Sequence, residues 1–187
     1  EITGVMRLRP PQKTKNNTES EHIFTRYIDV VHSKKTQREF DLFQTLYSKY
    51  RHISAERVCS GKGLVNLYNA IRVLDGRTNL PDLSAEQISE GGTKKSCTVC
   101  VEALDLMMGF LGSIAGNVAL TFGAKGGIYI AGGIPMKLGD YFFNSRFRSE
   151  FENKGHYETY LKVIPTYLIT HPNVAFVGLQ NEVKAAS

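Results

Sequence analysis

Cysteine is scarce in this chain, and the three present do not pair off. Cys59, Cys97 and Cys100 make an odd number among 187 residues. With no secretory leader read in the sequence, that excludes a disulfide-stapled extracellular scaffold and sets the expectation of a reducing, cytoplasmic compartment. Cys97-x-x-Cys100 has the spacing of half a zinc site, but no second pair supplies the remaining ligands. The expectation there is two small buried thiols at the start of a helix, and no metal site. Internal repeats and long linkers are missing too. A composition of 42% hydrophobic and 22% charged residues is that of a folded protein, so a single domain over 1–187 is expected.

An excess of positive charge is lacking from most of the chain despite a net charge of +5. Residues 1–62 hold 12 Lys or Arg against 7 Asp or Glu, and the remaining residues hold 11 of each. The basic stretch 7–15 has no interleaved aromatics, so a solvated loop is expected and not a nucleic-acid surface. Charge of either sign is absent from the nineteen residues between Asp105 and Lys125. That length raises a membrane span, but Gly109, Gly112, Gly116 and Gly123 with Ser113, Asn117 and Thr121 interrupt it. Cys100, Leu104, Met107, Leu111, Ile114 and Val118 recur at steps of four and three, which predicts a helix from about Cys97 with a core face, and no membrane.

What the chain does hold is most legible at 126–134, Gly-Gly-Ile-Tyr-Ile-Ala-Gly-Gly-Ile, followed by Pro135. Ile128 to Ala131 suits a strand buried on both faces, and Gly132 and Gly133 let the backbone turn and approach a ligand. Pro135 is tolerated where a following helix begins. A strand, glycine turn and helix place backbone N–H groups where α/β proteins hold nucleotides; the same pattern also serves as a plain tight connection.

Elsewhere a strand is expected over 23–31 and an amphipathic helix over 40–50. Ser54 is expected to cap a helix that has Glu56 in its first turn and is broken by Gly61 and Gly63. Leu64, Leu67, Tyr68, Ile71 and Leu74 form the stripe of the next helix. Ser84-Ala-Glu-Gln87 is a capping box opening a short helix ended by Gly91 and Gly92. A helix over 135–144, broken helix over 147–162, an edge strand over 163–169 and a last helix from His171-Pro172 complete the pattern. Alternating helices and strands mean an α/β architecture.

Several of these segments in order, Glu56, Ser60-Gly61-Lys62-Gly63-Leu64-Val65-Asn66-Leu67-Tyr68, Ala131-Gly132-Gly133-Ile134, Phe151-Glu152-Asn153-Lys154-Gly155 and Ile164-Pro165-Thr166-Tyr167-Leu168-Ile169, closely resemble bacterial glucokinase over about 36–178. The resemblance implies an α/β, ribonuclease H-like (actin-like ATPase) large lobe, a mixed sheet flanked by helices. It implies ATP-dependent phosphorylation of glucose, with Mg2+ beside the ATP. By the resemblance Glu56 accepts hydrogen bonds from glucose hydroxyls, where its own residues also allow a simple role at a helix N-terminus. Gly132, Gly133 and Ile134 match the adenosine-side turn, and Ser60 and Gly61 help shape the same cleft.

Two departures from the family accompany these matches. The N-terminal lobe with its phosphate loop and catalytic aspartate has no counterpart, and residues 4–8 resemble those that follow a second phosphate loop, itself missing; no catalytic residue is carried over. The family's Ser-Glu-Gly-Gly-His is reduced to Ser20-Glu21-His22, without its glycines and at a longer spacing from Thr36. Glu21 and His22 are retained as sugar-binding candidates. His32, His52, His156 and His171 are expected at the surface. Glucose and ATP or ADP are the expected partners, with a homodimer left open. The chain alone is expected to be inactive, and the competing reading is a non-catalytic sugar- or nucleotide-binding module.

Overall fold

The computed structural model describes residues 36–186. Its first element, α1 (Gln37–Tyr50), begins three residues before the expected start. Thr36 and Glu39 form a capping box in which each side chain accepts the other's backbone N–H, at 3.3 and 3.2 Å. Leu42 and Leu46 turn the apolar side of α1 to the core.

A short α2 (Glu56–Cys59) follows. Ser54 does not cap it with its side chain: Ala55 is already helical, and Ser54 contributes its carbonyl to the Arg57 N–H at 2.9 Å. Gly61 and Gly63 do not break this helix either. Extended Ser60 makes the break and caps α3 (Gly61–Leu74), its hydroxyl accepting from the Gly63 N–H at 3.0 Å. Gly63 is needed for proximity, since a Cβ there would lie 2.7 Å from the Val58 carbonyl carbon. The stripe of α3 is buried as expected through Leu64, Leu67, Tyr68 and Ile71, with Leu74 half-buried.

The loop after α3 is held from inside. Arg72, 8% exposed, donates to the carbonyls of Thr78 and Leu80 and pairs with Asp82 at 2.7 Å, while the Tyr68 hydroxyl donates to the Pro81 carbonyl at 3.0 Å. This fixes the start of α4 (Ala85–Thr93), where the Ser84–Gln87 capping box forms as expected. Gly91 and Gly92 lie inside α4 and do not terminate it. A Cβ at Gly92 would stand 2.9 Å from Leu104, so these glycines let α4 press against the next helix.

That helix, α5 (Thr98–Phe122), is the axis of the molecule, ending at Gly123 in the left-handed region (φ 58°). It is long and apolar enough to cross a membrane, yet 78% of its most apolar window is buried inside the protein. Its burial is broader than one face: Val99, Ala103, Leu106, Met108, Phe110 and Ala115 join the expected stripe, and Val118 at the far end is exposed. Packing around most of its length leaves few places for a charge, which accounts for much of the uncharged run.

Next come β1 (Ile128–Ile130), α6 (Gly133–Leu138), α7 (Asp140–Phe143), α8 (Phe147–Glu152), a 3-10 turn (Gly155–Tyr157), α9 (Glu158–Lys162), β2 (Thr166–Leu168) and α10 (Val174–Ala186). The helix expected over 135–144 is two helices, because Gly139 at φ 52° interrupts it. α10 starts after the expected His171-Pro172, and Phe176, Leu179 and Val183 are exposed on it. β1 and β2 pair in parallel with Ile128, Tyr129 and Ile130 opposite Thr166, Tyr167 and Leu168. Among the described residues this pair is the only sheet. The strand expected over 23–31 lies outside them, and the pair that is described is parallel and not mixed. Strand β1 is not covered on both faces here: Ile130 is buried, but Tyr129 is 65% exposed and stacks on Tyr167 at 4.9 Å.

The tightest junction is between α5 and α8. A Cβ at Gly112 would overlap the Phe147 carbonyl oxygen and lie 2.8 Å from its carbon, and one at Gly116 would overlap the Phe151 carbonyl oxygen. Around this crossing Arg146 binds Glu39 of α1 at 2.9 Å, Asp105 of α5 at 3.2 Å and Glu150 of α8 at 3.0 Å. Arg148 donates to the carbonyls of Lys162 and Ile164 at 2.9 and 2.8 Å, and so carries the position of α8 into the approach to β2. Lys154 reaches back to α5 and donates to Ser113 at 2.8 Å. Its burial pulls the ammonium down from 10.5 to about 8, with Glu150 opposing weakly.

Two expectations follow. Gly112→Ala destabilises the protein by about 1–3 kcal/mol through overpacking, whereas Gly109→Ala, whose Cβ would meet only ordinary 3.5 Å contacts, does not; urea unfolding of both variants checks this. Between pH 8 and 10.5 the unfolded chain keeps a proton on Lys154 that the folded chain has released, so stability rises with pH there. Relative to Lys154→Met, the wild type therefore gains stability from pH 7.5 to 9.5, as paired urea titrations measure.

Candidate functional site

Three distant stretches meet in one shallow recess of about 40 Å³, lined by Cys59, Ser60 and Gly61, by Met107 and Leu111 of α5, and by Ala131 to Pro135. All five residues expected to contact nucleotide, Ser60, Gly61, Gly132, Gly133 and Ile134, are brought together here. The helix geometry explains why they are useful. α3 begins at Gly61 and α6 at Gly133, and the first amides of a helix have no carbonyl partner within it. Two helix N-termini thus face one recess, where partial positive charge and free N–H groups favour a phosphate or the polar edge of a base.

Glycine is required by conformation at Gly132, whose φ is 142°, whereas at Gly61 a Cβ would make only ordinary contacts, 3.7 Å from Ala85 and 4.0 Å from Ile134. Gly133 has open space above it: a Cβ there would meet nothing within 4 Å. Pro135 is the third helical residue and not the first, still inside the turn that needs no proline N–H. Its buried ring, with Met107 and Leu111, floors the recess.

Glu56 opens α2 one turn before Ser60, and the Ser60 hydroxyl donates to the Glu56 carbonyl at 2.7 Å. The Glu56 side chain is exposed, with no hydrogen bond or ion pair to another described residue. Its carboxylate is therefore free to accept from a ligand, and it is tied through one turn of backbone to the wall of the recess. Glu21 and His22 lie outside the described residues. His52, His156 and His171 are exposed, as expected for surface histidines.

On the other side of Gly61 is a larger cavity of about 430 Å³, lined by Tyr50, Arg57, Lys62, Val65, Asn66 and Ala85. Sequence reasoning missed it. The Tyr50 hydroxyl donates to Asn66 at 2.6 Å, the Asn66 amide donates to the Arg57 carbonyl at 3.1 Å, and the Arg57 guanidinium lies over the Tyr50 ring at 4.2 Å. Neither Arg57 nor Lys62 has a carboxylate partner among the described residues. Tyr50 and Asn66 are sixteen residues apart on different helices, so no local spacing announces the cavity. Met107 and Leu111 were legible only as members of a core stripe.

A sequence model of the family described as Glucokinase matches residues 17–186. Curated relatives include the glucokinase of Paramagnetospirillum magneticum, 45% identical over 153 residues that make up 80% of this chain and 46% of that protein. The glucokinase of Aromatoleum aromaticum is 47% identical over 149 residues, 80% of this chain and 45% of that one. Among solved structures, a glucokinase from an Antarctic psychrotroph superposes with a TM-score of 0.69 at 35% identity, covering 76% of this chain and 44% of that chain. The glucokinase of Balamuthia mandrillaris, solved in complex with glucose, shares the fold with a TM-score of 0.61 at 23% identity over 87% of this chain and 41% of its own. The chain thus spans a little under half the length of the curated relatives it matches. With the family model covering most of its length, and with these relatives and structures agreeing, the chain belongs to the glucokinase family.

Proposed function

We propose that this chain supplies the large, ribonuclease H-like lobe of an ATP-dependent glucokinase, binding ATP or ADP in the recess and glucose at Glu56. The observation that carries this reading is the convergence of Ser60, Gly61, Gly132, Gly133 and Ile134 on one recess in a chain of this family. The glycine turn gives the adenosine moiety close approach to backbone, and the two helix N-termini supply donors and positive potential. The adjoining cavity adds the Tyr50 ring and the cations Arg57 and Lys62, suited to an extended anionic ligand.

Glu56 binds and orients the sugar. An ionised carboxylate only accepts hydrogen bonds, and can take two neighbouring hydroxyls at once. In the complete reaction the glucose 6-hydroxyl oxygen forms a bond to the γ-phosphorus, the bond to the β-phosphate oxygen breaks, and the hydroxyl proton passes to a general base. This chain's contribution is positioning, which such transfers depend on, and the base lies in the portion of the family fold that it does not match. Among the described residues no group of three or more His, Cys, Asp or Glu could hold a metal ion; magnesium in this reading would come with the nucleotide phosphates, which hold it together with water and as few as one or two carboxylates. A cytoplasmic location and a role in glycolysis accompany this reading.

The isolated chain is expected to show no glucose-dependent ATP turnover in a coupled assay. Joined to an N-terminal glucokinase lobe, the Glu56→Gln protein is expected to bind glucose more weakly by about 1.5–3 kcal/mol, the worth of a charge-assisted hydrogen bond, with ATP binding unchanged. Calorimetric titration of both ligands tests this; equal glucose affinity would reduce Glu56 to a helix-terminal charge.

A further inference from the structure

The Cys-x-x-Cys pair stands at the N-terminus of the 25-residue α5, with Cys97 as its N-cap. The Cys97 sulfur accepts from the Cys100 backbone N–H at 3.4 Å. That bond holds the Cys97 sulfur against the first turn of the helix, at the residue that carries the second thiol. Their exposure differs: Cys100 is 1% exposed, while Cys97 is only half-buried, between exposed Ser96 and Thr98. That corrects the expectation of two buried thiols, and its cause is the N-cap position, which lies outside the packed length of the helix. Behind the pair, an added Cβ at Gly91 of α4 would lie 3.2 Å from the Cys100 sulfur, so α4 packs directly against Cys100.

A metal does not account for the arrangement. Structural zinc takes four ligands, and no cluster of three or more ligating side chains occurs among the described residues. Two thiols three residues apart at a helix start, one reachable and one enclosed, are instead the arrangement that thiol–disulfide exchange uses, with an attacking and a resolving sulfur.

We infer that Cys97 and Cys100 form a reversible dithiol–disulfide site, oxidised by a small disulfide of the glutathione type. The Cys97 thiol loses its proton to solvent, and its sulfur attacks one sulfur of the oxidant. The oxidant's S–S bond breaks, one thiolate leaves, and a mixed disulfide remains on Cys97. Cys100 then loses its proton, attacks the Cys97 sulfur and expels the second thiolate. Two protein thiols are oxidised to one disulfide, and the oxidant is reduced to two thiols. Lys95, exposed beside the pair, offers a cation to an anionic tripeptide. Burial pushes the Cys100 thiol up to about 12, so the more exposed Cys97 is the thiol that meets the oxidant first.

The test uses the full chain, equilibrated in graded ratios of reduced and oxidised glutathione, then denatured and alkylated with N-ethylmaleimide before intact-mass measurement. The reduced protein takes up three alkyl groups. The oxidised protein is expected to take up one, mapped to Cys59, to lose the mass of two hydrogens and to stay monomeric on a non-reducing gel. Cys59→Ser keeps this behaviour, Cys97→Ser abolishes it, and Cys100→Ser stops at one glutathione adduct on Cys97. Three alkylated thiols at every ratio would overturn the proposal, as would a disulfide between two chains or a persistent glutathione adduct on wild-type Cys97. The wild-type measurement decides the matter even where a variant fails to fold.

Discussion

The close crossing of α5 over α8 is the constraint from which the rest of the structure is positioned. At Gly112 and Gly116 the two helices touch through backbone, leaving no room for a methyl group on either glycine. Such contact fixes the distance between helices more sharply than side-chain packing can, because carbonyl groups do not change rotamer. With α8 set, Arg146 can reach three carboxylates on α1, α5 and α8 at once, and Arg148 can hold the carbonyls ahead of β2. Strand β2 in turn pairs with β1, and β1 delivers the glycine turn.

The opposite sides of α5 do the same for the other half of the recess. Gly92 lets α4 press on Leu104, and α3 packs its buried stripe beside them, which brings Gly61 within reach of Ala85 and Ile134. The recess is thus a consequence of packing around one central helix, and Met107 and Leu111 of that helix form part of its floor. Burial on this scale also sets local chemistry. Asp105, facing Arg146, is nonetheless held above the usual carboxylate range by burial and by the neighbouring Glu39 and Glu150. Beside the recess Glu56, Arg57 and Lys62 have no ion-pair partner among the described residues, one acceptor and two cations next to a surface of glycine backbone floored by Met107, Leu111 and Pro135.

What could be read in the sequence was whatever depends on residues close along the chain. The Ser84 to Gln87 capping box, the stripe of α3 and the helix beginning at Cys97 follow from spacings of three and four. The glycine turn and the Ser60-Gly61 segment were legible because family resemblance supplied the link between distant stretches. What failed depends on partners far away in sequence. Gly91 and Gly92 look like a helix stop until α5 is seen against them, and the 430 Å³ cavity needs Tyr50 and Asn66 on separate helices. Tyr129 was read as buried because an apolar run resembles a central strand, yet alternation sends it to the face where Tyr167 is its stacking partner.

The central claim is that the recess between α3 and α6 binds nucleotide through backbone. Titration of ADP into the isotopically labelled chain, followed by amide chemical shifts, tests it directly. The account predicts saturable shifts at Gly61, Lys62, Gly133 and Ile134, with the amides of α10 unmoved. Saturable binding that leaves those four amides unchanged while shifting others, or no binding at millimolar ADP by a chain shown to be folded, would contradict it.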